Sequence, residues 1–358
     1  VMMSESDPRS GGAGAWRRAR RSLNGAHAGE LGVVLPPFVD HHVHLELTNP
    51  EPAVDRGIAG VVDLGANPSV VAARAARDGL PAIAFAGAFL TAVGGYPSDR
   101  SWRPEGSVRE VPAIDADAID TPMADTSVTV PPTTGARGHS ALPGPIEAAV
   151  DEQHAFGASL VKVVLNADAG PVFDRATLDA IVAAAHARGL SVAVHAEGAG
   201  CAALAIDAGA DALVHTPWTE RLDDALIARA AAGQVWVSTL AIHARDAGSD
   251  SPELARALDN LARFHAADGR VLYGTDLGNG ELPVGVNAAE LALLARAGLG
   301  ASDLVDALTD PWPRAARENW GLDGVATFVP GAPPAAPDDL PAWLATARVV
   351  PADDLEML

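Results

Sequence analysis

Short, almost wholly apolar runs alternate along this chain with Ala- and Leu-rich amphipathic stretches, and no other feature limits its folds as strongly. The apolar runs cover residues 38–44, 60–64, 81–85, 159–165, 191–195, 212–215, 234–239 and 270–276. They have the length of strands, and their apolar character on both faces suits a parallel sheet covered by helices. Eight such units predict an α/β fold, a closed (β/α)8 TIM barrel whose active site lies at the carboxyl ends of the strands. An open doubly wound sheet is the rival, but no G-x-G-x-x-G turn follows the first strand. Residues 1–30 read as a flexible tail that contains the basic cluster Trp16-Arg-Arg-Ala-Arg-Arg21. Residues 91–142 break the rhythm with many Pro, Gly, Asp and Thr, and a loop of that length after the third strand is expected to supply a lid.

Composition narrows the class of partner. The 358-residue chain carries a formal charge of −21, so nucleic acid is a poor partner. The single cysteine, Cys201, rules out an internal disulfide framework and suits a reducing compartment. No apolar run has the length of a membrane span, and no signal-type apolar core opens the sequence. The expectation is a cytoplasmic protein acting on a small molecule, without a membrane or nucleic-acid partner, for which a homo-oligomer remains open.

Within the first strand, Asp40, His42 and His44 form a D-x-H-x-H run. Side chains two apart on a strand share a face, so the two imidazoles, about 7 Å apart, can converge on one cation. Alone, the run is read equally well as a pair of satisfied strand histidines. Lys162 is the more informative residue. Of the 25 Lys and Arg residues it is the one lysine, set mid-strand among Leu160, Val161, Val163 and Val164. A buried lysine can lose its proton, whereas a guanidinium stays charged. A neutral amine can act as a base, as a Schiff-base nucleophile, or as an amine that takes up CO2 to become a carbamate; the plain alternative is a lysine snorkelling from a strand end. His195, His215 and Asp276 each end a predicted strand, so with His42, His44 and Lys162 they meet at one mouth of the barrel.

As a set, these motifs resemble the amidohydrolase superfamily, specifically its binuclear-metal members with a carboxylated lysine, in the group described as imidazolonepropionase-like or Xaa-Pro dipeptidase-like. The resemblance runs over residues 31–320. It is carried by Phe38-Val-Asp-His-His-Val-His44, Leu160-Val-Lys-Val-Val164, Val192-Ala-Val-His-Ala-Glu-Gly198, Leu213-Val-His-Thr-Pro217 and Tyr273-Gly-Thr-Asp-Leu-Gly-Asn279. It implies two divalent metal ions, zinc in the first instance with manganese, iron or cobalt as alternatives, and CO2 for lysine carboxylation. His42, His44 and Asp276 would hold the more buried ion, His195 and His215 the second, and the Lys162 carbamate would bridge them. True imidazolonepropionases and nucleobase deaminases lack the strand-four lysine, so Lys162 speaks against both. Family members carry a β-sandwich assembled from both termini; here residues 31–37 and 321–358 supply a reduced accessory piece around the barrel at 38–320.

The chemistry implied is hydrolysis of an amide or cyclic amide C–N bond by a hydroxide that the two ions share, with Asp276 as general base. A lactonase, esterase, phosphoesterase or deaminase on the same site is the first alternative, and a non-catalytic binding protein of the same fold the second. Substrate contacts are expected from Tyr96, Asn166, Trp218, His243 and Asn279. Tyr96 reads equally as an oxyanion donor or a packed loop aromatic. Glu197 reads as support for His195 or as a helix-start carboxylate.

Overall fold

The computed structural model describes residues 16–114, 144–313 and 320–358. Its strands are, in chain order, β1 (Arg17–Arg21), β2 (Leu31–Leu35), β3 (Val39–Val43), β4 (Gly60–Asp63), β5 (Ala82–Phe85), β6 (Phe89–Ala92), β7 (Val108–Val111), β8 (Leu160–Asn166), β9 (Ser191–Glu197), β10 (Ala212–Leu213), β11 (Val235–Val237), β12 (Arg270–Leu272), β13 (Val325–Pro330), β14 (Arg348–Pro351) and β15 (Leu355–Met357). They form a parallel seven-stranded sheet in the order β12-β11-β10-β9-β8-β6-β7, a parallel three-stranded sheet β3-β4-β5, and an antiparallel sheet β14-β13-β2-β1-β15. Helices alternate with the parallel strands, among them Pro68–Ala75, Arg175–His186, Asp224–Gly233 and Ala288–Arg296. No helix among the described residues is long and apolar enough to cross a membrane.

Apolar packing explains why the strands read as continuous hydrophobic runs. All seven residues of β8 are buried. Alternate side chains go to opposite sides: Val161, Val163 and Leu165 join the large core beneath the helices, and Leu160 joins a smaller one. That smaller core takes Val39, Val62, Ala84, Leu160, Ala193, Ala212, Val235 and Leu272 from eight different strands of the two parallel sheets.

The third predicted strand proves to be bent, which accounts for the finding of β5 and β6 where one run was expected. Gly87, at φ +75°, makes the bend, and a Cβ there would lie 2.2 Å from the Gln153 side-chain oxygen. That oxygen accepts from the Ala88 amide at 2.9 Å. On one edge the bent strand meets the β4 side through Ala86 N–H to Asp63 O; on the other, Ser159 N–H donates to Phe85 O and Phe89 pairs with Lys162. Beyond β12 the chain bonds back to β3: His41 N–H donates to Tyr273 O, Asp276 N–H to His42 O and His44 N–H to Leu277 O.

Two sequence expectations need correction. Residues 17–21 are not part of a tail but form β1, paired antiparallel with β2 and β15. Ala19 is fully buried, while Arg20 and Arg21 pair with Glu356 and Asp354 at 2.6 Å. One small apolar residue among four arginines gave no strand signal; the acidic C-terminal partners supply it. The terminal sheet has five strands, of which β1 lies outside the residues 31–37 and 321–358 expected to supply it. Second, the interval 91–142 is not uniformly irregular, because β7 extends the parallel sheet beside β6. A lid is expected from part of that interval, and the segment Pro122–Leu142 lies outside the described residues.

Candidate active site

At the carboxyl ends of the parallel strands lies a cavity of about 410 Å³. His44, Lys162, His195, His215 and Asp276 all line it, together with Tyr96 and Asn279. His42 sits just beneath, wholly buried. The structure thus brings all six expected ligand-type residues to one place, from segments as far apart as β3 and the turn after β12.

The tightest group is His42, His215 and Asp276, whose nitrogen and oxygen ligand atoms all lie within 4.8 Å of one another. The His42 Nε2 is 3.3 Å and the His44 Nε2 3.0 Å from Asp276 Oδ1. Yet His42 Nε2 and Asp276 Oδ1 are buried with no well-directed hydrogen-bond partner. A buried polar atom left unpaired costs free energy, so two facing each other mark a place where a further group belongs. The donor set of imidazole nitrogens and a carboxylate oxygen is what a divalent transition metal takes.

The surroundings fix which nitrogen is free. His42 Nδ1 lies 2.6 Å from Val214 O, which can only accept, so the proton sits on Nδ1 and Nε2 presents its lone pair. His215 Nδ1 lies 2.8 Å from Thr239 Oγ1. Thr239 holds that position at φ +48°, a left-handed conformation unusual for a β-branched residue. The turn is braced by buried Glu290, which accepts from the Leu240 and Ala241 amides at 2.9 and 2.6 Å and whose carboxyl burial pushes up to about 7. Asp276 also has positive φ, +57°, and its Oδ2 accepts from Asn279 Nδ2 at 2.8 Å. The buried Asp40 carboxylate holds this turn against β3, accepting from the Thr275 amide and hydroxyl and from the His42 amide.

Electrostatics set the protonation states. Burial holds the His42 and His215 imidazoles well below their ordinary range. Burial acts on Asp276 in the opposite sense, but His42, His44 and His215 overcome it and hold the carboxyl well below the usual range. Lys162 has no comparable compensation, and burial brings its amine down to about 7. Burial, aided by the charges of Glu197 and Asp276, pushes the Tyr96 phenol up to about 12, so it keeps its proton.

The remaining expected residues take varied places. Glu197 Oε2 accepts from Asn166 Nδ2 at 2.7 Å and lies 3.1 Å from His195 Nε2, so Asn166 faces Glu197. Trp218 stands edge-on to His215 and His195, with ring centroids 5.6 and 6.0 Å away. His243 packs on the far side of Trp218 at 4.7 Å, with its Nε2 buried and without a hydrogen-bond partner. Leu47, Phe89 and Trp102 line the cavity although the sequence drew no attention to them. Phe89 lies in β6, beyond the end assigned to the third strand, and Trp102 follows Tyr96 in the Pro- and Gly-rich interval.

No protein-family model matches the sequence, and no curated protein matches it. Solved structures do. A Xaa-Pro dipeptidase crystallised with methionine in its active site superposes with a TM-score of 0.65 at 19% identity, covering 91% of this chain and 87% of that one. The A. niger ochratoxinase gives a TM-score of 0.62 at 19% identity over 87% of this chain and 79% of its own. Phenylurea hydrolase B gives 0.60 at 17% identity over 91% and 85%. The chain shares their fold. Similarity of this degree speaks to architecture, and what the site does must be argued from its residues.

Proposed function

We propose that this protein is a divalent-metal-dependent hydrolase of amide C–N bonds. The observation that carries the reading is the buried, mutually facing and unpartnered pair His42 Nε2 and Asp276 Oδ1, grouped with His215 at the wall of a cavity. In this reading the two parallel sheets are arcs of one (β/α)8 barrel spanning residues 38–320, with the terminal β-sheet as an accessory domain. The single core fed by eight strands supports closure, as do the hydrogen bonds that join β12 to β3 and the bent strand between β4 and β8.

His42, His44 and Asp276 would hold one ion, and His195 and His215 a second. Lys162, with an amine substantially unprotonated near neutrality, would add to CO2 through Nζ, lose a proton and bridge the two as a carbamate. Such ions lower the pKa of water toward neutrality and polarise a carbonyl. Asp276, charged and buried, takes a proton from the attacking water and returns it to the departing nitrogen. A new C–O bond replaces the C–N bond, and the products are a carboxylic acid and an amine. Tyr96, which keeps its phenolic proton, can donate to the oxygen that gains charge. Asn279 fixes the Asp276 carboxylate through Oδ2, which leaves Oδ1 to the ligand cluster. Zinc is the first metal to test, and the likeness to a Xaa-Pro dipeptidase makes dipeptide amides the first substrates.

The test is metal analysis of the purified protein together with an amide panel. We expect about two divalent ions per chain and release of carboxylic acid and amine. Lys162→Ala should lose metal and turnover, with partial recovery on adding a short carboxylic acid. Full activity of that variant without any additive would remove the bridge from the proposal.

A further inference from the structure

The cavity is not chemically uniform, and its asymmetry bears on the substrate. One side is the ligand cluster; the side next to it is aromatic. Phe89 lies 5.7 Å, centroid to centroid, from His44, and Tyr96 lies nearly parallel to His195 at 5.8 Å. Trp102 joins them, edge-on to Phe89 at 6.5 Å and 6.2 Å from Tyr96. The three rings form one band that touches the cluster at two of its histidines. Trp102 is 43% exposed, so the band has apolar surface still to be covered.

Arg100 lies over the Tyr96 ring at 5.3 Å, with its Nε 3.4 Å from Asp99 and without a hydrogen bond. Across the cavity, Arg245 is paired with Asp246 and donates to the Asn279 carbonyl. A free carboxylate laid flat against the band would meet the electron-rich faces of the rings and would lose water on that side. A flat uncharged ring would stack there or meet the edges, which is the favoured geometry for aromatic groups.

Resting on the hydrolase reading above, we propose that Phe89, Tyr96 and Trp102 form an aryl subsite. The substrate class is then an amide carrying an uncharged aromatic group close to the scissile C–N bond, in preference to one carrying a carboxylate at that position. Water adds its oxygen to the carbonyl carbon, the C–N bond breaks, and the nitrogen leaves with the proton, so an anilide yields a carboxylic acid and an arylamine.

Two measurements test this and separate its failure from failure of the hydrolase reading. The first titrates the protein with N-phenylmethanesulfonamide, an aryl ligand with no hydrolysable amide. Binding should weaken about tenfold in Trp102→Ala and be largely kept in Trp102→Phe. The second compares kcat/KM of the metal-loaded enzyme for acetanilide, N-methylacetamide and N-acetylproline. The anilide should be preferred over the methylamide by about tenfold or more, and Trp102→Ala should reduce that ratio. If N-acetylproline is the best of the three, or if Trp102→Ala binds the sulfonamide as well as the parent, the aryl subsite is wrong while amide hydrolysis stands. If no amide is cleaved but the sulfonamide binds and Trp102→Ala weakens it, the subsite stands and the hydrolase reading falls.

Discussion

His41 and His42 are neighbours on β3, both fully buried, and they differ in what their ring nitrogens meet. His41 has Nδ1 2.8 Å from Tyr273 O and Nε2 2.8 Å from Asp310 O, so both nitrogens are occupied by backbone carbonyls. His42 has only Nδ1 occupied, and its Nε2 faces Asp276 without a partner. Burial alone therefore does not distinguish a functional histidine from a structural one. The unfilled valence does. His41 ties β3 to the turn after β12 and to the end of the helix Ala301–Thr309; His42 presents a lone pair to a shared centre.

Substitutions at four positions would sharpen or break this contrast. The largest effect is expected from Asp276→Asn, which keeps the shape and an oxygen ligand but removes the proton acceptor. Turnover should fall by about 10²–10⁴ while much of the metal is retained, as steady-state kinetics and metal analysis would register. An unchanged kcat would exclude Asp276 as the base. Next comes His41→Ala, which removes the partner of the Asp310 carbonyl at roughly 1–3 kcal/mol and leaves the Tyr273 carbonyl to the residue-41 amide alone. Its denaturation midpoint should drop clearly while the folded fraction still binds metal. Loss of metal at unchanged stability would invert the comparison.

A smaller effect is expected at Thr239, whose hydroxyl meets His215 Nδ1. Thr239→Val should weaken Co2+ binding about tenfold, followed by the visible spectrum of the bound ion, and Thr239→Ser should restore it. Equal affinities for all three proteins would show that the hydroxyl does not orient the imidazole. The smallest effect belongs to Asn279→Ala. Its amide hydrogen bond favours the charged form of Asp276, so removing it raises that carboxyl's pKa. The acid limb of the kcat/KM profile should then move to higher pH by less than about one unit; a shift to lower pH would contradict the assignment.

Much of this was legible in the chain because it depends on local periodicity. Lys162 was conspicuous as a lone amine in an apolar strand, and β8 encloses it as the pattern requires. The segments carrying His195, His215 and Asp276 were visible for the same reason, although His195 lies inside β9 and His215 and Asp276 follow the ends of β10 and β12. Phe89 was not, because the bend at Gly87 starts a second strand segment where the sequence reads as one run giving way to loop. Trp102 was hidden because the interval around it has no period to read. Arg17–Arg21 reads as a tail because its charge masks a strand, which pairs with β2 on one side and on the other with acidic residues more than 300 positions away.

By itself, then, the sequence determined which residue types were available and on which short segments they would sit, since burial on both faces and the two-residue strand repeat are local properties. The tertiary structure decided which of those residues have a free valence. Whether a histidine nitrogen meets a carbonyl oxygen or another ligand-type side chain depends on segments far apart in the chain, such as Val214 behind His42 and Asp310 beside His41. It also decided that an aromatic band adjoins the cluster, because only the packed chain brings β6 and the interval after it against His44 and His195.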